Sequence, residues 1–361
     1  MSTPTSGDPA VVATRYFRRD GEDHVVCELC PRFCRLREGQ RGLCFVRACQ
    51  NAQIVLTSYG RSTGFCVDPI EKKPLYHFLP GTPVLSFGTA GCNLACKFCQ
   101  NWESTRSREV ESMSAAASPS EIARAAHVRD CPSVAMTYND PVVFHEYAIA
   151  VAEACHQRGI KTVAVTAGYV CPAPRAEFYR GIDAANVDLK AFTDRFYREL
   201  CAGDLATVLD TLIFLREKTT VWLEVTTLLI PGENDGDQEL DEMTRWLRAN
   251  LGADLPLHFS AFHPDFRMRD KPPTTLHGLN RARQIALGNG LKYVYTGNIR
   301  DPAGSRTSCA ACGAQLIGRD GYELVAWKLT DDGHCAACGA QCLGVFAGPP
   351  GHWGNRRVPL P

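Results

Sequence analysis

The sequence predicts an α/β protein organised around a parallel sheet, and three observations predict it. From residue 84 onward, short apolar runs of strand character alternate with longer stretches of helical period, the pattern of repeated βα units. The strand candidates are apolar nearly throughout, as strands must be when helices cover both faces of a sheet or the sheet closes into a barrel. On either side of this region cysteine-rich stretches break the alternation, so a small module is expected at each end of the barrel.

In chain order, residues 1–20 are rich in Ser, Thr, Pro and Arg and are expected to form a disordered leader. Residues 21–80 have few periodic segments and many Cys, Arg, Gly and Pro, and read as a Cys-rich N-terminal module. Residues 81–300 hold the βα units, with strands expected at 84–88, 134–138, 162–166, 185–189, 221–229, 257–261 and 293–295. One helix opens at Ser118, with Pro119 in the first helical position and Glu121 in the first turn; the next covers 141–158 and stops at Gly159. Further helices are expected at 204–218, 235–250 and 274–288. In barrels of this kind the chemistry sits on loops after the strands' C-terminal ends. Residues 301–346 contain two Cys-x-x-Cys-Gly knuckles and read as a zinc-ribbon-like or rubredoxin-like module, while residues 347–361, rich in Pro, Gly and Arg, are expected to be a disordered tail.

Composition narrows the function classes. Lys and Arg total 39, and Asp and Glu total 39, with no long basic stripe, which argues against a nucleic-acid partner. No apolar run reaches signal-peptide or membrane-span length, so no membrane role and a cytoplasmic location are expected. Eighteen cysteines in a reducing compartment point to metal ligands before disulfides. Eleven fall into tight sets: Cys27, Cys30, Cys34 and Cys44; Cys92, Cys96 and Cys99; Cys309, Cys312, Cys335 and Cys338. The other seven, Cys49, Cys66, Cys131, Cys155, Cys171, Cys201 and Cys342, read as small buried hydrophobes.

The central triplet is a Cys-x3-Cys-x2-Cys loop at the end of the first barrel strand. Three thiolates within eight residues can grip one corner of a cubane cluster and leave the fourth iron without a protein ligand. An open coordination position separates a catalytic metal site from a closed structural one. The alternative readings of the same thiols are a zinc site completed by a distant His such as His77 or His127, or three unrelated buried thiols.

This loop resembles that of the radical S-adenosylmethionine superfamily. The resemblance implies a partial (β/α)6-type barrel, a [4Fe–4S] cluster on Cys92, Cys96 and Cys99, and S-adenosyl-L-methionine chelated to the open iron through its amino and carboxylate groups. One electron then breaks the sulfonium bond, and a 5′-deoxyadenosyl radical abstracts hydrogen from a substrate. Asn139 and Asp140, in Thr137-Tyr138-Asn139-Asp140-Pro141, match the superfamily's methionine-binding element, with Asp140 one methylene shorter than the usual Glu. Asp188-Leu189-Lys190 resembles an element of the glycyl-radical activating enzymes, in which Asp188 and Lys190 would lie beside the cosubstrate, and His263 matches a His after the sixth strand. Glu224, Thr226, Thr166 and Tyr169 are weaker candidates on neighbouring strand ends.

A narrower resemblance spans about residues 25–346. Cys27, Cys30, Pro31, Arg32 and Cys34, then Gly39, Gly42 and Cys44, the stretch from Asp68 to Phe78, the run Cys99-Gln100-Asn101-Trp102-Glu103 and the stretch from Glu224 to Asn234 are similar to the AmmeMemoRadiSam-system radical SAM enzymes, relatives of pyruvate formate-lyase activating enzymes. That family implies Memo-like and AMMECR1-like proteins as partners and a flavodoxin-like or ferredoxin-like reductant. Cys27, Cys30, Cys34 and Cys44 could hold zinc or a second cluster, and Cys309, Cys312, Cys335 and Cys338 zinc or a single iron. The expected function is a radical enzyme that activates a protein by abstracting a glycine hydrogen or modifies a small metabolite; a non-catalytic zinc-ribbon binding protein is the alternative.

Overall fold

The computed structural model describes residues 8–106, 115–346 and 348–360. Its centre is a nine-stranded sheet built from β1 (Gly64–Pro69), β2 (Pro83–Gly88), β3 (Ser133–Met136), β4 (Lys161–Thr166), β5 (Ala184–Asp188), β6 (Trp222–Leu229), β7 (Leu257–Ala261), β8 (Val294–Gly297) and β9 (Val358–Leu360). The seven strands β2 to β8 are adjacent in chain order and all parallel, and β1 and β9 extend the β2 edge antiparallel. This is the expected partial barrel, with the seven strand candidates in the seven parallel positions.

Helices alternate with the strands: α1 (Trp102–Arg106), α2 (Pro119–His127), α3 (His145–His156), α4 (Pro172–Arg180), α5 (Leu205–Lys218), α6 (Asp237–Leu251) and α7 (Leu276–Gly288). Ser118 caps α2 as a full capping box, its hydroxyl accepting from the Glu121 amide while the Glu121 carboxylate accepts from the Ser118 amide. α4 is not among the helices expected from the sequence; Pro172 and Pro174 both sit in its first turn, where a missing N–H costs nothing.

Alternation along each strand sorts the residues into two cores. Outward residues such as Leu85, Phe87, Val134, Met136, Val187, Val225 and Phe259 pack beneath the helices. Inward residues Val84, Ala135, Val163 and Ala184 meet Ile70, Leu75 and Phe78, so residues 70–79 form a plug across the bottom of the barrel. Polar residues higher in the barrel tie this plug down. Glu224 accepts from the backbone amides of Tyr76 (3.0 Å) and His77 (2.8 Å), and Asn186 Nδ2 donates to Pro74 O (2.8 Å). Burial works to raise the Glu224 carboxyl, but hydrogen bonds from His258 and Trp222 outweigh it and hold the group low and ionised.

The C-terminal module is a three-stranded antiparallel sheet (Thr307–Ser308, Gln315–Asp320, Glu323–Trp327) that packs on Tyr76, Tyr293 and Tyr295. Arg319, buried on this face, donates to Tyr76 O (2.7 Å), stacks 4.1 Å over the Tyr76 ring and pairs with Glu71. The N-terminal module consists of two three-stranded sheets, one of Val12–Ala13, Gln53–Leu56 and Arg47–Gln50 and the other of Phe17–Asp20, His24–Cys27 and Arg35–Leu36.

Two expectations are corrected over the described residues. Part of the expected leader, residues 8–20, supplies a strand to each N-terminal sheet, and residues 348–360 of the expected tail end in β9. β9 is legible only through its partner: Val358 and Leu360 pair with Val67 and Phe65, and Pro359 is tolerated because β9 is an outermost strand. Residues 1–7, 347 and 361, to which the same expectations applied, lie outside the described residues.

Candidate active site

At the C-terminal ends of the parallel strands lies a cavity of about 350 Å³. The loop after β2 forms one wall and turns Cys92, Cys96 and Cys99 toward it. Gly91 makes this turn feasible. Its φ is +85°, and a Cβ there would stand 2.0 Å from Cys44 O, so only glycine fits. Asn139, at the end of β3, pins the loop: its Nδ2 donates to Gly91 O (2.8 Å) and Thr89 Oγ1 (3.2 Å), and its Oδ1 accepts from the Thr89 amide (3.1 Å). From the far side, Ala95 N and Lys97 N donate to Cys201 O and Leu200 O, both at 2.8 Å.

The strand ends furnish the remaining walls. Asp140 accepts from Val142 N (3.0 Å), Ala167 N (2.9 Å) and the Thr166 hydroxyl (3.1 Å), joining the ends of β3 and β4. Burial raises its pKa in spite of these bonds. Lys190 Nζ lies 3.0 Å from Asp188 Oδ2 at the end of β5. Burial opposes the Lys190 charge, but Asp188 and the neighbouring Cys96 and Cys201 outweigh it and keep the ammonium charged. Thr226, His258, Ser260 and Asn298 complete the side from β6 to the loop after β8, and Glu71, Tyr76 and the C-terminal module's Tyr322 form the floor. Thr226 Oγ1 and Glu71 Oε2 are buried without a hydrogen-bond partner on this cavity, leaving two polar atoms for a ligand to satisfy.

The structure thus brings Cys92, Cys96, Cys99, Asn139, Asp140, Asp188, Lys190, Thr166 and Thr226 to one cavity. It does not bring His263 there. Phe262 is buried in the core beneath the helices, and His263 after it is exposed and off the cavity lining. Glu224 lies below, holding the plug, and the Tyr169 carbonyl accepts from Asn93 Nδ2 (2.7 Å) behind the loop. Sequence reasoning missed Thr105, whose hydroxyl is 3.4 Å from Cys99 Sγ, and Cys201, whose thiol is within hydrogen-bond reach of Cys96. Cys201 is 102 positions after Cys99, so no spacing rule could have joined it to the triplet.

A parallel partial barrel with three thiols at its mouth defines a protein built to hold a metal cluster beside a ligand cavity. The pattern of the radical SAM superfamily matches residues 87–247, which span the cluster loop and the strands β3 to β6. The uncharacterized protein MJ0808 of Methanocaldococcus jannaschii is 38% identical over 304 residues, covering 84% of this chain and 90% of that one. Among solved structures, a radical SAM methyltransferase from Sphaerobacter thermophilus covers 85% of this chain and 81% of its own at 15% identity and a TM-score of 0.49. A domain of pyruvate-formate lyase-activating enzyme from Bacteroides vulgatus covers 46% and 98% at 17% identity and a TM-score of 0.41. Residues 87–247 thus form a radical SAM superfamily domain, and the chain belongs to one family with the Methanocaldococcus protein.

That domain implies a [4Fe–4S] cluster and S-adenosylmethionine, and the residues fit them. Three thiols face the cavity, while Cys201 lies behind Cys96 and off the lining. Burial pushes the Cys92 thiol up to about 12, so loading a metal here must displace protons. Asp140 and Asp188 face Lys190 within the same cavity, a charge arrangement suited to a zwitterionic, cationic cosubstrate.

The C-terminal cysteines meet a different specification. Their sulfurs all lie within 4.8 Å of one another, with Cys309 to Cys338 at 3.6 Å and Cys312 to Cys335 at 3.8 Å. A tetrahedral ion with metal–sulfur bonds of about 2.3 Å has edges of about 3.8 Å, so this set fits one metal ion. Among the described residues no helix is long and apolar enough to cross a membrane.

Proposed function

We propose that this chain cleaves S-adenosylmethionine reductively and directs the resulting radical at a hydrogen atom presented from the cavity mouth. When bound, the cluster and its cosubstrate supply one-electron cleavage of the sulfonium and a carbon radical able to abstract hydrogen. The observation that carries the reading is the open side of the Cys92, Cys96 and Cys99 set, turned onto a walled cavity. Asn139 holds the loop in register, and Asp188 keeps Lys190 charged at the cavity edge. Residues 70–79 and Tyr322 exclude water from below, so a reactive radical would meet protein or substrate before solvent.

Of the finer readings, an activating-type enzyme acting on a partner protein is the one supported by Asp188-Leu189-Lys190 at the cavity wall and by a chamber no larger than a single-ligand pocket. Such a chamber holds the cosubstrate and leaves the substrate to reach in from outside. Memo-like and AMMECR1-like proteins are the partners the sequence suggests, with a flavodoxin-like or ferredoxin-like protein as reductant. The test is anaerobic incubation of dithionite-reduced protein with S-adenosylmethionine, alone and with cell extract, followed by chromatography for 5′-deoxyadenosine. Product formation that disappears in Cys96→Ala supports the reading; undiminished product in that variant overturns it.

A further inference from the structure

The N-terminal cysteines show a geometry different from that of the C-terminal set. Cys27 ends the strand His24–Cys27, Cys30 and Cys34 sit on the turn that follows, and Cys44 on the turn before Arg47–Gln50. All four line one small apolar cavity, with Arg32 and Arg47 on its wall. Unlike the C-terminal sulfurs, they do not draw within 4.8 Å of one another as a set; among the described residues only the C-terminal four do so. A single ion would need edges of about 3.8 Å. Cluster-bound thiolates stand farther apart, roughly 6 Å on a four-iron cubane, because the irons themselves are separated.

The wall chemistry agrees with an anionic occupant. Four thiolates on a cubane carry net negative charge, and burying that charge requires positive partners. Arg47 is buried, and its charge acts on Cys27 and Cys44; Glu146 pairs with it and holds it in place. Arg32 donates through Nε to Asn93 O (2.9 Å), while its Nη2 is buried with no hydrogen-bond partner. A sulfide or thiolate sulfur in the cavity would satisfy that donor.

We infer that Cys27, Cys30, Cys34 and Cys44 hold a second [4Fe–4S] cluster, closed on all four irons, with Arg32 and Arg47 as its counter-charges. It lies directly behind the barrel's cluster loop, because Cys44 O abuts Gly91 and Arg32 is bonded to Asn93, the residues flanking Cys92. This site is independent of the chemistry proposed above for the barrel cavity.

The test uses the full chain produced anaerobically, with Cys92, Cys96 and Cys99 all replaced by Ala so that the N-terminal set stays untouched. Iron, acid-labile sulfide and zinc are counted, and ⁵⁷Fe Mössbauer spectra are recorded for this variant and the wild type. The inference predicts about eight irons in the wild type and about four in the triple variant, with a four-iron Mössbauer signature and about one zinc or single iron from the C-terminal set. Two zincs and no cluster iron in the triple variant would overturn it, as would about two irons with a two-iron spectrum. A wild type with about four irons that still forms 5′-deoxyadenosine would remove the second cluster and leave the barrel reading standing.

Discussion

Asn139 shows how much of the cluster loop's shape hangs on one side chain. Its amide satisfies both Thr89 and Gly91, and no residue lacking a donor and an acceptor can do so. Asn139→Ala is expected to cost about 1 to 3 kcal/mol in thermal denaturation and to lower the iron retained by the barrel set. Asn139→Asp should be worse, because it aims an anion at the Gly91 carbonyl; wild-type iron content in either variant would remove this role. At this scale the sequence was most informative where residues lie close along the chain: the cysteine triplet, Asn139 with Asp140, and Asp188 with Lys190 all reach the cavity. It was silent on Thr105, Cys201, Tyr322 and Arg319, whose partners are set by tertiary contacts, and family position misplaced His263.

Among the elements, the seven parallel strands were legible because burial on both faces writes them as continuous apolar runs. The short strands at 12–13, 17–20 and 358–360 were not, since runs of two to four residues carry no period and owe their conformation to neighbours. The stretch from Asp68 to Phe78 was read only as a family signature; its physical meaning is the barrel plug, whose His77 links barrel and C-terminal module. The Leu343 carbonyl can only accept, so His77 Nδ1 donates to it (2.8 Å) and Nε2 accepts from Tyr295 Oη (2.6 Å). His77 is therefore neutral, and burial lowers its pKa from 6.5 to about 4 against the pull of Glu224. A base lowered in the folded state contributes stability that is present above pH 6.5 and lost as pH falls through about 4. Denaturant titrations between pH 7 and 4 should show His77 contributing on the order of 3 kcal/mol of this loss. His77→Gln should flatten that dependence; an unchanged acid slope would contradict the assignment.

For the whole molecule, the C-terminal module with its four-cysteine set acts as part of the barrel. Tyr322 reaches the cavity floor from it and Arg319 holds the floor residue Tyr76, so breaking its cysteine set should loosen the chamber as well as the module. Cys335→Ser is expected to lower Tm by on the order of 5 °C and to admit protease within residues 301–346. Wild-type Tm and protease resistance would show that the ribbon is a passive appendage. Fold class and both modules could be read from the sequence, whereas the docking of the modules onto the barrel could not, because it rests on contacts between Tyr76, Tyr295 and Arg319 that are distant along the chain.

The central claim is that one iron of the barrel cluster is left for S-adenosylmethionine. Electron paramagnetic resonance of the reduced protein, before and after adding S-adenosylmethionine, tests it directly, using a Cys30→Ala, Cys34→Ala chain so that only the barrel cluster contributes. The account predicts a shift in the cluster's g-values on addition of S-adenosylmethionine and none when buffer is added instead. An intact four-iron signal that S-adenosylmethionine leaves unmoved would contradict it.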